Sequence, residues 1–199
     1  MSGKIIILSA PSGTGKSTII KYLMSKRPEL DLHFSISATS RKPRPGEEDR
    51  KDYYFLTEEE FRKKIENDEF VEWEEVYAGT FYGTLLSEVK EKVEQGHTVI
   101  MDIDVMGSIN VKKSFGDKAL ALFIMPPSIQ ELEMRLTNRG TDSHDEVARR
   151  LAKAGYEMTF APQFDSVIIN DDFFKAADEV AEKIKEFNPD YNPGKETVQ

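Results

Sequence analysis

Apolar residues run along the chain in two rhythms. Nearly continuous apolar runs occupy residues 5–9, 98–103, 119–125 and 167–169, the pattern of parallel strands buried on both faces. Elsewhere the period lengthens. Leu85, Leu86, Val89 and Val93 recur at three- and four-residue spacing and give the 85–95 segment one apolar face, as a helix needs. Helix starts are marked as well: Thr57-x-x-Glu60, Ser128-x-x-Glu131 and Ser143-x-x-Glu146 read as capping boxes, in which hydroxyl and carboxylate satisfy backbone donors that have no helical partner. Pro28, Gly96 and Pro189 follow the ends of three helical stretches, the last spanning 173–188. Strand and helix signals that alternate in this way predict βαβ units and an α/β fold with a parallel core sheet.

Residues 34–82 break the rhythm. They hold short β-prone pieces at 34–37, 53–55 and 70–73, a polar loop at 41–51 and one short helix at 57–67, which together read as an inserted mixed-strand subdomain. A second interruption, 138–142, lies between two helical patterns and is flanked by Arg135, Arg149 and Arg150. It is expected to be a mobile, arginine-bearing lid. The tail beyond Pro189 is expected to be disordered.

Within this framework the chemistry concentrates at residues 10–17, Ala10-Pro11-Ser12-Gly13-Thr14-Gly15-Lys16-Ser17, between the first strand run and the first helix. A strand, a Gly-rich turn and a helix that begins with Gly-Lys-Ser form a phosphate-binding P-loop. Backbone N–H groups converge there on an anion, and the helix dipole adds about half a positive charge. Lys16 is expected to neutralise the β and γ phosphates, and the Ser17 hydroxyl to ligate Mg2+. Ala10 stands where the usual pattern has glycine; it is tolerated unless that position needs a positive φ.

Asp102 and Asp104 end an apolar run, at the strand edge where open α/β sheets bind ligands. They read either as acids that reach Mg2+, directly or through water, or as a solvated turn. Arg41, Lys42 and Arg44, stiffened by Pro43 and Pro45, suit bidentate phosphate recognition. Glu47, Glu48 and Asp49 follow directly, so a solvated loop of cancelling charge is the competing reading. Glu72 beside Trp73, and Tyr82-Gly83-Thr84, are weak signals taken alone. His33, His97 and His144 lack metal-ligand spacing and read as surface or cap residues. No nucleophile elbow and no cysteine nucleophile is present.

Composition narrows the class. Across 199 residues, 27 basic against 36 acidic side chains give a net charge of −9, which repels nucleic acid and anionic membrane, so neither is an expected partner. An anionic substrate must therefore be met by a local basic cluster. Without cysteine there are neither disulfides nor thiolate metal sites. No signal-peptide pattern opens the chain, and no apolar run nears the roughly 20 residues that span a bilayer. A single-domain, cytoplasmic protein is expected, its oligomeric state left open.

The motifs also resemble those of a known family. Ser-Ala-Pro-Ser-Gly-Thr-Gly-Lys-Ser-Thr (9–18), Phe-Ser-Ile-Ser-Ala-Thr-Ser-Arg-Lys-Pro-Arg-Pro-Gly-Glu (34–47), Lys-Asp-Tyr-Tyr-Phe (51–55), Phe-Val-Glu-Trp (70–73), Phe-Tyr-Gly-Thr (81–84), Asp-Ile-Asp (102–104), Arg-Gly-Thr (139–141) and Asn-Asp-Asp (170–172) resemble guanylate kinase. The resemblance runs in order from about residue 3 to 188. It implies a P-loop three-layer α/β/α fold with core segments at about 3–33, 85–125 and 160–188, a GMP-binding insertion at about 34–84, a helical lid at about 135–158 and a flexible tail at 189–199.

The activity implied is phosphoryl transfer from ATP to GMP with Mg2+ as cofactor. By resemblance, Ala10, Pro11, Ser12, Gly13, Thr14, Gly15, Lys16, Ser17 and Thr18 hold the ATP phosphates, and the donor adenine lies near Arg135 and Arg139 and reaches Asn170. Ser37, Arg41, Arg44, Tyr53 and Tyr82 hold GMP and its phosphate. Glu72 accepts from the guanine N1–H and amino group, Thr84 reads O6, and Asp102 lies near the base and ribose. Lys16, Arg41, Arg135, Arg139 and Arg150 gather around the transferred group. Two departures stand out: the family usually has serine where this chain has Thr84, and the stretch 76–80 carries one residue more than some members have. Two other readings remain: a kinase for another monophosphate, and a phosphopeptide-binding module without catalysis, against which the intact Gly13, Gly15, Lys16 and Ser17 speak.

Overall fold

The computed structural model describes residues 3–138 and 143–189. From the N-terminus the elements are β1 (Lys4–Ser9), α1 (Lys16–Lys26), β2 (Leu32–Phe34), β3 (Ala38–Thr39), β4 (Tyr54–Phe55), α2 (Glu58–Glu66), β5 (Phe70–Tyr77) and β6 (Thr80–Leu85). They continue with α3 (Leu86–Glu94), β7 (Thr98–Asp102), α4 (Val105–Phe115), β8 (Ala119–Met125), α5 (Ile129–Asn138), α6 (His144–Met158), β9 (Ser166–Ile169) and α7 (Phe173–Phe187).

The apolar runs become a parallel five-stranded sheet in the order β2-β7-β1-β8-β9. In the central strand β1, Ile5, Ile6, Ile7 and Leu8 are all completely buried. Alternation splits them between two cores. Ile6 and Leu8 pack with Ile19 and Leu23 of α1 and Ala177, Val180 and Ala181 of α7. Ile5 and Ile7 face Val89 of α3 and Val111 of α4. Covering both faces in this way makes the three α/β/α layers expected from continuous apolar strands. The fifth strand, β2, gave no apolar run because it is a short, partly exposed edge of three residues paired to β7 from Leu32↔Thr98 to Phe34↔Ile100. Phe34, read from the sequence as part of the insertion, therefore belongs to the core sheet.

A second, mixed sheet of order β4-β3-β6-β5 is built from chain between β2 and α3. Its small core centres on Phe61 of α2, which stacks on Phe70 and Phe81 at 4.3 and 5.3 Å between ring centroids. The β5–β6 hairpin turns at Ala78 and Gly79, where Gly79 has φ 74. Between Glu75 and Tyr77 the register slips by one residue, so Val76 forms a bulge. Strand pairing resumes beyond the bulge at Tyr77↔Thr80.

Helices α5 and α6 pack through Leu132, Leu136, Val147 and Ala154. Thr57 and Ser143 each close a full capping box, and Ser128 Oγ accepts from Glu131 N at 3.0 Å. The centre of the expected lid, with Arg139, and the tail from residue 190 lie outside the described residues. Among the described residues no helix is long and apolar enough to cross a membrane. His33 and His97, expected as surface or cap residues without metal-ligand spacing, are partly exposed and stack on each other at 3.8 Å between ring centroids.

Candidate active site

The P-loop emerges from the C-terminal end of β1 and enters α1 through Gly15, whose φ of 95 lies in the left-handed region. Gly15 is required twice over, because a Cβ there would also lie 2.7 Å from Asn170 Nδ2. Gly13 has φ 96, and a Cβ on it would sit 2.7 Å from Leu136. Ala10 does not take a left-handed backbone, so its methyl brings no strain. The loop is braced from inside: Thr14 Oγ1 donates to Pro11 O, and Asn170 Nδ2 donates to Thr14 O at 2.6 Å. Asn170 is buried at the end of β9, where its side chain holds the loop while its carbonyl accepts from Arg135 at 3.0 Å.

Asp102 and Asp104 have different partners. Asp102, at the end of β7, forms an ion pair with Lys16 and accepts from Ser17 Oγ at 3.1 Å. Lys16 Nζ also donates to Ile103 O at 3.3 Å. Asp104 is the N-cap of α4, its Oδ1 accepting from Gly107 N at 2.8 Å. Ser17 and Asp102 thus present hard oxygen donors side by side at a helix N-terminus, the donor chemistry that suits Mg2+. Asp104 has one carboxylate oxygen committed to its own helix. These groups, with Ala10 to Thr18, Arg150, Lys153 and Glu157, line a cavity of about 410 Å3.

A neighbouring cavity of about 240 Å3 is lined by Glu72, Trp73, Met106, Gly107, Tyr156 and others, and it shares Asp104, Lys153 and Glu157 with the first. The two spaces are therefore adjacent, with these three residues between them. Glu72, on β5, accepts from Thr84 Oγ1 of β6 at 2.7 Å. The pair meets because the hairpin register sets Glu72 opposite Thr84. Burial pushes the Glu72 carboxyl up to about 7, against the lowering effect of the Thr84 hydrogen bond. Gly107 cradles it, for a Cβ there would come 3.0 Å from Glu72 Cγ and 3.1 Å from its Oε2. The methyl of Thr84 is accommodated, since the residue is fully buried with its hydroxyl satisfied.

Arg41 is held from every side. Its Nε donates to Tyr82 OH at 3.1 Å, and its two terminal nitrogens donate to Glu47 at 2.7 and 2.9 Å. Its guanidinium lies 5.2 Å over the Tyr53 ring, and Tyr53 and Tyr82 meet edge-on at 6.0 Å. Glu47 also accepts from Arg44 N, and these partners hold its carboxyl down to about 2. The cancelling charge read from the sequence is present as the Arg41–Glu47 pair, and Arg41 also joins the two tyrosines. Arg44 is exposed on the same loop. Ser37 lies one step beyond the Ala38↔Gly83 pair, beside Thr84.

From the lid side, Arg150 of α6 donates to Ser12 Oγ at 3.4 Å, and Arg135 of α5 lines a cleft with Gly13, Gly15, Asn138 and Asn170. Sequence reasoning missed Lys153, Glu157, Glu74 and Gly107. Burial raises the Glu157 carboxyl; burial and then a hydrogen bond to Asp104 raise that of Glu74. Lys153 and Glu157 lie on one face of α6 one turn apart, a spacing visible in the sequence; Glu74 and Gly107 had no local signal.

A family model described as guanylate kinase matches residues 2–187. A guanylate kinase of Bacteroides thetaiotaomicron is 57% identical over 94% of this chain and 91% of that protein, and one of Porphyromonas gingivalis is 52% identical over 92% and 97%. The crystal structure of guanylate kinase from Anaplasma phagocytophilum superposes with a TM-score of 0.71 at 30% identity, covering 93% of this chain and 86% of that one. With a family match over nearly the whole length, and with the P-loop and the half-buried Glu72 carboxylate in adjacent cavities, the chain belongs to the guanylate kinase family.

Proposed function

We propose that the protein transfers the γ-phosphoryl group of ATP to GMP, giving ADP and GDP, with the P-loop cavity holding ATP and the Glu72 cavity holding guanine. The observation that carries this reading is Glu72, half-buried, held by Thr84 and lining a cavity that shares Asp104, Lys153 and Glu157 with the P-loop cavity. Guanine offers two donors on one edge, N1–H and the 2-amino group, which match a carboxylate. Adenine has an acceptor at N1 and no 2-amino group, so it leaves the acid unpaired; a site of this kind can reject the wrong base by about 10^4-fold.

Ser37, Arg41, Arg44, Tyr53 and Tyr82 hold the GMP phosphate, and Asp102 stays with Lys16 and Ser17 at the phosphoryl end. Ser17, with Asp102 through water, would hold Mg2+, which when bound supplies charge neutralisation between the β and γ phosphates. Lys16 neutralises the phosphate oxygens and aligns them. No general base is needed, since the attacking oxygen of GMP is already anionic, so positioning and electrostatics do most of the work. Arg135 and Arg150, joined by Arg139, stabilise charge that spreads over the equatorial oxygens, an effect worth about 10^3 to 10^5 in rate for a single arginine. Closure of α5 and α6 over ATP excludes water that would otherwise be the acceptor.

A coupled ADP-release assay with GMP, AMP and dTMP, with the product identified chromatographically, tests the proposal. GMP is expected to be the preferred acceptor and GDP the product. Good turnover of AMP or dTMP with none of GMP would overturn the guanine assignment, and folded protein with no turnover on any acceptor would favour a binding module.

A further inference from the structure

At the opposite end of the core sheet from the nucleotide cleft, three side chains from two connections converge. Asp31 follows a short 3-10 turn, His33 lies in β2 and His97 immediately precedes β7. The convergence is imposed by the backbone. His33 pairs with Val99 in the parallel register, and His97 lies two residues before Val99, so both imidazoles leave the same face and stack at 3.8 Å with 26° between planes. Asp31 takes a left-handed φ of 42, with its N–H tied to Pro28 O at 3.1 Å, and this turns its carboxylate toward the rings. One carboxylate oxygen lies 3.1 Å from His33 Nε2 and the other 3.8 Å from His97 Nδ1.

We propose that Asp31, His33 and His97 form a binding site for a first-row transition-metal ion, with Zn2+ as the ion of best fit. One ligand atom from each residue lies within 4.8 Å of the others. A tetrahedral ion with bonds of about 2.0 to 2.1 Å needs ligand atoms roughly 3.3 to 3.4 Å apart, so binding draws the three ligand atoms together from within 4.8 Å and turns the two stacked rings about their side-chain torsions until each in-plane nitrogen lone pair points at the ion. Two imidazoles and one carboxylate suit zinc, nickel or copper and not the all-oxygen preference of Mg2+ or Ca2+. Each residue is about one-third exposed, 36% for the Asp31 side chain and 34% for His97, which leaves an entry path and a place for water as the fourth ligand. The site is separate from the phosphoryl chemistry: β7 runs from Thr98 to Asp102, so His97 and Asp102 lie about 16 Å apart along an extended strand. Bound metal clips the edge strand β2 to the start of β7, and its expected consequence is stability rather than turnover.

The test uses tag-free, full-length protein. Zn2+ is titrated in competition with a chromophoric chelator, and Co2+ is added separately to read visible ligand-field bands. Native protein is expected to bind one ion per chain and to give tetrahedral cobalt bands. Zn2+ at a hundredfold excess over Kd should raise Tm by roughly 5 to 10 °C. The double variant H33A/H97A and the single variants Asp31→Asn and His97→Gln should each bind at least tenfold more weakly and lose the thermal shift, with kcat unchanged in the presence of a zinc chelator. The singles keep the test decisive if the double variant does not fold. Native binding no tighter than in the variants, absence of the cobalt bands, or equal affinity in His97→Gln would overturn the site.

Discussion

Substituting Glu72 by glutamine probes the guanine assignment through its charge. The carboxyl accepts from Thr84 Oγ1 at 2.7 Å, rests against Gly107 and is pushed up to about 7 by burial. Guanine needs the ionised form, so binding of GMP must remove a proton whenever Glu72 is neutral. For a group of pKa about 7 the apparent affinity falls by a factor of 1 + 10^(7 − pH), which is about 11 at pH 6 and near unity at pH 8. The phosphate of GMP titrates near pH 6 as well, so the informative quantity is the ratio of native to E72Q affinity, in which that common titration cancels. Calorimetric titration of GMP is expected to show this ratio falling about tenfold from pH 8 to 6. At pH 8 the variant should bind about 10^2 to 10^4-fold more weakly, because two hydrogen bonds to a charged acceptor are lost or opposed at about 1.5 to 3 kcal/mol each.

Stability should move the other way. Because the folded pKa lies above the unfolded one, the folded state binds the proton more tightly between about 4.5 and 7, and stability contributed by neutral Glu72 is lost as pH rises through that window. At pH 8 the empty native protein therefore carries a cost of up to about 3 kcal/mol that E72Q relieves. Urea melts of the empty proteins should show E72Q gaining on native as pH rises from 5 to 8. An affinity ratio flat from pH 6 to 8, or no gain in stability, would refute the reasoning.

Other perturbations separate the parts of the cleft. Lys16→Ala, which removes the cation at the P-loop, should lower kcat by about 10^3-fold or more while leaving GMP affinity by calorimetry within about threefold; a large loss of GMP affinity would place Lys16 at the wrong end. Asn170→Ala orphans the buried Thr14 carbonyl and should cost about 1 to 3 kcal/mol in chemical denaturation and weaken ATP binding; an unchanged midpoint would mean that the brace contributes nothing. Gly107→Ala pushes a methyl to 3.0 Å from Glu72 Cγ, so KM for GMP should rise about tenfold with KM for ATP unchanged, and equal effects on both substrates would contradict the cradle.

What the sequence determined by itself was local and periodic. Continuous apolar runs specify strands with two buried faces, hydroxyl–carboxylate pairs three residues apart cap helices, and Gly-Lys-Ser after a strand makes a phosphate loop, because each is decided by neighbours within a turn or two of chain. The three-layer core and the P-loop were legible for that reason. The tertiary structure decided what depends on register between distant segments. The parallel pairing of β1 with β7 sets Leu8 beside Asp102, and from there Asp102 meets Lys16 and Ser17 while Asp104 turns to cap α4. The β5–β6 register joins Glu72 to Thr84, and the edge pairing of β2 with β7 stacks His33 on His97. In each case the residue types were visible along the chain, but the partner was not, since a shift of one residue in a strand moves every side chain to the other face and would have dissolved the pair.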